Sequence, residues 1–99
     1  MAHYVAPEAE SDLDHIWLYI AKESGNTDRA GRVVNAITER FYLLSIHPRI
    51  GRERPDLRVG LRSFPVEEYV IIYRITETDD VLIMHVPHGR QDIHRMVGP

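Results

Sequence analysis

The sequence predicts an α+β fold of order β-α-α-β-β-β, with a helical hairpin packed on one face of a small antiparallel sheet. Three observations carry that prediction. Between Pro7 and His47, apolar residues recur at three- and four-residue steps, with one interruption at Ser24-Gly25-Asn26. Beyond Pro55 the pattern changes to short runs rich in valine, isoleucine and tyrosine, separated by polar turns. Neither kind of segment can bury its apolar side alone, so helices and strands must cover one another.

Residues 3 to 5 form a short first strand, closed by Pro7, which also suits the first turn of a helix. Glu8, Glu10, Asp12 and Asp14 follow, where negative charge favours a helix N-terminus. Ala9, Leu13, Ile16, Trp17 and Ile20 make one stripe, and Gly25 is the expected left-handed cap. Thr27 is placed to cap a second helix. Its stripe is Ala30, Val33, Val34, Ile37, Phe41 and Leu44, and Pro48 ends it after His47. At about 1.5 Å per residue the helices are roughly 24 and 30 Å long, and their short link makes them antiparallel.

Residues 48–55 read as a loop with Gly51 as its turn residue. Strands are expected at about 58–64, 69–76 and 80–87, antiparallel because their connections are short. Alternation then sorts side chains by face. An arginine beneath packed helices is unfavourable. That places Leu61, Ile71 and Ile75 toward the helices, and Arg62 and Arg74 on the other face. Tyr69 and Tyr73 are expected in the core with their hydroxyls reaching water.

A chain of 99 residues makes one domain spanning 1–99, and its 43% hydrophobic content is ordinary for a soluble protein. The absence of cysteine excludes disulfides, thiolate ligands and a cysteine nucleophile. With no signal-peptide pattern and no long apolar run, a cytoplasmic protein without a membrane partner is expected. The net charge is −3, all of it in residues 1–47. Residues 48–99 hold eight arginines against eight carboxylates, and Lys22 is the only lysine. Arginine forks pair with carboxylate or phosphate. The overall acidity argues against coating nucleic acid by charge alone, and no sequence-specific DNA binding is expected.

The chemistry concentrates near the C-terminal strand. Metal-free RNA cleavage needs an acid, a base and cations on the phosphate. Arg62, Arg74 and Arg90 are candidate cations, His85 or His88 an acid or base, and Tyr69 or Tyr73 a helper. The same residues also have structural uses: His88 binding a carbonyl, the arginines pairing with Glu67, Glu68 or Asp92. His85, His88 and His94 do not follow a recognised ligand spacing, so no metal and no cofactor are expected. No glycine-rich phosphate loop and no Ser-His-Asp arrangement is present.

Taken together, the β-α-α-β-β-β order, His47-Pro48-x-x-Gly51-Arg52, Gly60-Leu61-Arg62-Ser63-Phe64, the run from Tyr69 to Ile75 and His88-Gly89-Arg90-x-Asp92 resemble the ParE branch of the RelE/ParE toxins. The resemblance covers nearly the whole chain. It implies the toxin half of a bacterial type II toxin–antitoxin module, held in a hetero-oligomer by a ParD-like antitoxin. ParE-branch toxins poison DNA gyrase, whereas RelE-branch toxins cut messenger RNA on the ribosome. Net acidity, scarce lysine and the His88-to-Asp92 ending favour gyrase, with no catalytic residue. Arg62, Arg74, His88 and Arg90 are then the expected target-binding residues. On the alternative reading Arg62, His88 and Arg90 cleave RNA. The helical hairpin and an open sheet face offer an apolar groove flanked by charge. Leu18, Tyr19, Val33, Phe41 and Tyr42 are the expected antitoxin contacts.

Overall fold

Pro7 starts the first helix and Gly25 stops it. In the computed structural model, which describes residues 2–97, helix α1 spans Pro7–Ser24. Proline at its first position has no N–H to leave unpaired, and Glu8 and Glu10 face the positive end of the helix dipole. Gly25 takes the left-handed conformation (φ 66°) and its N–H donates to the Ala21 carbonyl. Helix α2 spans Thr27–Ile46, and its cap is Asn26 rather than Thr27: the Asn26 side-chain oxygen accepts from the Arg29 N–H at 3.1 Å. The two stripes are realised largely as expected. Trp17 sits at the margin of its stripe and is 37% exposed.

The sheet has five strands in the order β1-β5-β4-β3-β2. Strands β3 (Leu61–Val66), β4 (Tyr69–Ile75) and β5 (Val81–His85) form the expected antiparallel meander. Strand β1 (His3–Val5) lies beside β5 in parallel, so one edge of the sheet departs from the antiparallel pattern. A parallel pair needs a long crossover, and the helical hairpin with the meander supplies it. Strand β2, only Arg52–Glu53, closes the other edge against β3. Strand β3 starts three residues later than expected, because the chain turns first: Leu57 and Arg58 N–H both donate to the Arg54 carbonyl, and Gly60 adopts φ 90°.

Two cores result. The larger lies between helices and sheet and joins Ile16, Ile37, Phe41 and Leu44 to Tyr69, Ile71, Tyr73, Val81 and Ile83. The smaller lies on the far face, where Leu57, Leu61, Ile72 and Val97 pack together. Ile71, Ile75 and Arg74 therefore lie on their expected sides, but Leu61 and Arg62 are exchanged. Leu61 turns away from the helices because the 54–58 turn and a short C-terminal helix α3 (Ile93–Val97) cover it. Arg62 turns toward the helix side, where its Nη1 donates to the carbonyls of Gly51 (2.8 Å) and Arg49 (3.2 Å) and its Nη2 lies 3.7 Å from Glu53. The loop following α2 thus satisfies an arginine that would otherwise be costly there.

Tyr73 departs from expectation too. It is fully buried, and its hydroxyl donates to the Pro48 carbonyl at 2.7 Å and accepts from the Gly51 N–H at 3.0 Å. Burial pushes its pKa up, opposed by the Gly51 bond and the nearby Arg62 charge. A Cβ on Gly51 would collide with that hydroxyl, so the close approach requires glycine. On the far face, Arg54 binds Asp56 through two nitrogens (3.0 and 2.9 Å), and Asp56 in turn meets His94 of α3 at 3.1 Å. The Arg54 bonds hold the Asp56 carboxyl well below its usual value, at about 2.

Replacing Tyr73 with Phe leaves the Pro48 carbonyl and Gly51 N–H without a partner, and is expected to cost about 1–3 kcal/mol in urea unfolding. Gly51→Ala is expected to cost at least as much, and an unchanged midpoint for both would show that the contact does not hold the fold. The depressed Asp56 group contributes stability above its unfolded pKa, and that contribution is lost as pH falls through about 2. Carboxyl NMR should therefore place the Asp56 midpoint near 2; a midpoint near 4, the ordinary aspartate value, would contradict the pairing.

Candidate partner-binding trough

The chain leaving β5 is stitched to the start of β4. Val70 N–H donates to the Pro87 carbonyl (2.9 Å), Gly89 N–H to the Glu68 carbonyl (2.8 Å), and Tyr69 pairs with His88 as an isolated bridge. These bonds fix His88 with its ring edge-on to Tyr69, centroids 5.3 Å apart. Its Nδ1 accepts from the Arg90 N–H at 3.0 Å, and its Nε2 lies 3.8 Å from Glu68. In the neutral ring the proton consequently sits on Nε2, toward the carboxylate. Burial, then the charges of Glu68 and Tyr19, raise the pKa of the Tyr69 hydroxyl.

This cluster lies in a trough. One part of it, about 630 Å³, is lined by the last turns of α1, the first turns of α2, the β3–β4 turn and the 88–90 loop. Ile20, Val33 and Tyr69 give it apolar walls, while Glu23, Arg29, Glu67, Glu68 and Arg90 ring the mouth. A second hollow of about 520 Å³ shares Tyr19, Tyr69 and His88 with the first and runs on past His15 and Val86 to Met96. The combined channel follows α1 along its flank. Asp12 fixes the wall position, since its Oδ2 accepts from the Val86 N–H at 2.8 Å and lies 3.8 Å from His85. Apolar walls with a charged rim suit an amphipathic segment of another chain.

Of the residues expected to meet an antitoxin, Tyr19 and Val33 line this trough. Leu18 and Tyr42 project from the hairpin into solvent, and the His3 ring stands edge-on to Tyr42 at 5.0 Å. Phe41 is the correction: at 2% exposure it belongs to the main core, because it faces the sheet between Ile37 and Leu44. Of the target-binding candidates, His88 and Arg90 share the trough, while Arg62 and Arg74 sit elsewhere. Arg62 pairs with Tyr73, four residues along β4 from Tyr69, or roughly 13 Å away at strand spacing. The Arg62, His88 and Arg90 set required for RNA cleavage is therefore not brought together. Arg74 is exposed on the far face.

Sequence reasoning did not place Asp12, Arg29 or Glu68 at the trough, and read Glu68 only as a possible partner for Arg62 or Arg74. Asp12 looked like one more charge at a helix start, and only the register of the 86–88 loop makes it an acceptor. Glu68 was legible in principle, because a two-residue turn between β3 and β4 must present Glu67 and Glu68 at the Tyr69 end. Among the described residues no group of three or more potential ligands is gathered for a metal ion.

The geometry has counterparts among known proteins. Residues 4–93 match the family described as ParE toxin of type II toxin-antitoxin system, parDE. The chain is 36% identical over 87 residues to Toxin ParE3 of Caulobacter vibrioides, covering 88% of this chain and 85% of that protein. It is 26% identical over 93 residues to Toxin ParE1 of Mycobacterium tuberculosis, covering 94% of each. A chain of the solved chromosomal ParDE TA system from P. aeruginosa superposes with a TM-score of 0.77 at 22% identity, covering 89% of this chain and 95% of that one. That likeness shows a shared fold.

Proposed function

This chain belongs to the ParE toxin family of type II toxin–antitoxin systems, and we propose that it arrests growth by binding DNA gyrase until a ParD-like antitoxin fills the trough along α1. The observation that carries the proposal is the position of His88 and Arg90 inside the same trough as Tyr19 and Val33. An antitoxin helix laid there buries the apolar walls and covers the two polar residues best placed to grip a target. Neutralisation is then occlusion. Leu18 and Tyr42 extend the antitoxin footprint around the hairpin, in an interface of roughly 1,600 Å² or more. The activity is binding, with no bond broken by the toxin. The net charge of −3 supports a protein target over ribosomal RNA. The cytoplasm is the compartment this reading requires, and no helix among the described residues is long and apolar enough to cross a membrane.

The purified chain is expected to inhibit gyrase supercoiling while leaving ribosome-bound messages intact. Antitoxin should reverse the inhibition. Tyr19→Ala is expected to weaken the antitoxin complex at least about tenfold without lowering the toxin's melting midpoint, since Tyr19 is 61% exposed. Untouched gyrase together with cleaved message would overturn the gyrase reading, and unchanged antitoxin affinity would move the antitoxin off the trough.

A further inference from the structure

The charge of this protein is divided by face. Residues 1–47, nearly all in the helical layer, hold seven carboxylates against four basic groups. The far face of the sheet is the reverse. Arg52 and Arg74 are exposed on it, and Arg58 and Arg95 are exposed on the turn and the helix α3 that cover its centre. None of the four forms an ion pair among the described residues. Of the carboxylates on this side, Asp56 is bound by Arg54 and meets His94, and Asp92 lies 3.9 Å from the same histidine, away from the four arginines. Arg58 donates to the Val97 carbonyl at 3.4 Å, but among the described residues no carboxylate offsets any of the four charges, and so much like charge on one face calls for an anionic partner.

We propose that this far face docks the sugar–phosphate backbone of duplex DNA. Arg52 lies opposite Ser63 and Arg74 opposite Leu61, which puts them two strands apart and two residues out of step. From strand geometry their Cα atoms are about 12 Å apart, close to the width of the B-DNA major groove. Arginine forks match phosphate oxygens bidentately. Binding of single-stranded nucleic acid relies instead on a row of stacking aromatics, and this face exposes one, Tyr4 at its edge. The acidic turn at Glu77 and Asp79 borders the face beyond Arg74 and limits the footprint to about four phosphates. The inference rests on the gyrase reading for its setting, since gyrase holds duplex DNA: the toxin would touch both enzyme, through the trough, and the DNA segment it holds.

The test is fluorescence anisotropy of a labelled duplex of about 20 base pairs titrated with the full chain across a series of salt concentrations. Four phosphate contacts predict a slope of log affinity on log salt of about −3.6, and Arg52→Gln with Arg74→Gln should bring it to about −1.8. Lys22→Gln with Arg32→Gln removes equal charge from the helical layer and should leave the slope unchanged. Absence of saturable binding at low salt, an equal loss in the helical-layer variant, or tighter binding to single-stranded RNA would each overturn the proposal. Gyrase inhibition by a chain that binds no duplex would remove this inference and leave the toxin reading standing. Duplex binding without gyrase inhibition would keep the docking surface and end the gyrase reading.

Discussion

A single buried hydroxyl decides how the two layers meet. Tyr73 stands at the centre of β4, and its oxygen holds both Pro48 and Gly51 of the loop that leaves α2. A phenol buried without partners would be destabilising, and a loop laid over an apolar sheet would leave its own polar groups unpaired. Each requirement satisfies the other. The loop so fixed presents the Gly51 and Arg49 carbonyls to Arg62, which closes that end of the sheet. Everything at the opposite end stays open, and there α1, the β3–β4 turn and the 88–90 loop leave a trough between them.

This arrangement separates two surfaces that a sequence cannot separate. Arg62 and Arg90 look equivalent along the chain, as arginines flanking apolar strands. In the fold one is a structural clasp with 18% of its side chain exposed, and the other is an exposed group at the mouth of a cavity. The trough carries apolar walls and mixed charge, whereas the far face carries an excess of arginines among the described residues. The two lie on opposite sides of the sheet, so a partner on the far face would leave the trough open.

Much of the fold was legible. The 3.6-residue stripes gave both helices nearly to their ends, Gly25 marked the break, and the three strands of the meander followed from turn residues and β-branched runs. What failed did so for identifiable reasons. Alternation says that Leu61 and Arg62 point to opposite sides but not which side is which, and the assumption that arginine avoids the covered face ignored backbone carbonyls as partners. Helix α3 is five residues long, too short to show a period, and its cover over Leu61 therefore went unseen. The parallel edge strand was hidden because three residues carry no direction. At the candidate site, His88, Arg90, Tyr19 and Val33, singled out by residue type, line the trough, while the places of Asp12 and Glu68 depended on register that only the folded chain supplies.

On the proposed reading, the toxin grips its target from the open end of the sheet and Arg62 serves the fold. Inhibition of gyrase supercoiling by Arg90→Ala and Arg62→Ala, compared at equal concentrations of folded protein, distinguishes the two roles. Arg90→Ala is expected to raise the half-inhibiting concentration by about tenfold or more, and Arg62→Ala to match the unaltered protein once its lower stability is taken into account. Full potency in Arg90→Ala with lost potency in folded Arg62→Ala would place the grip at Arg62 instead.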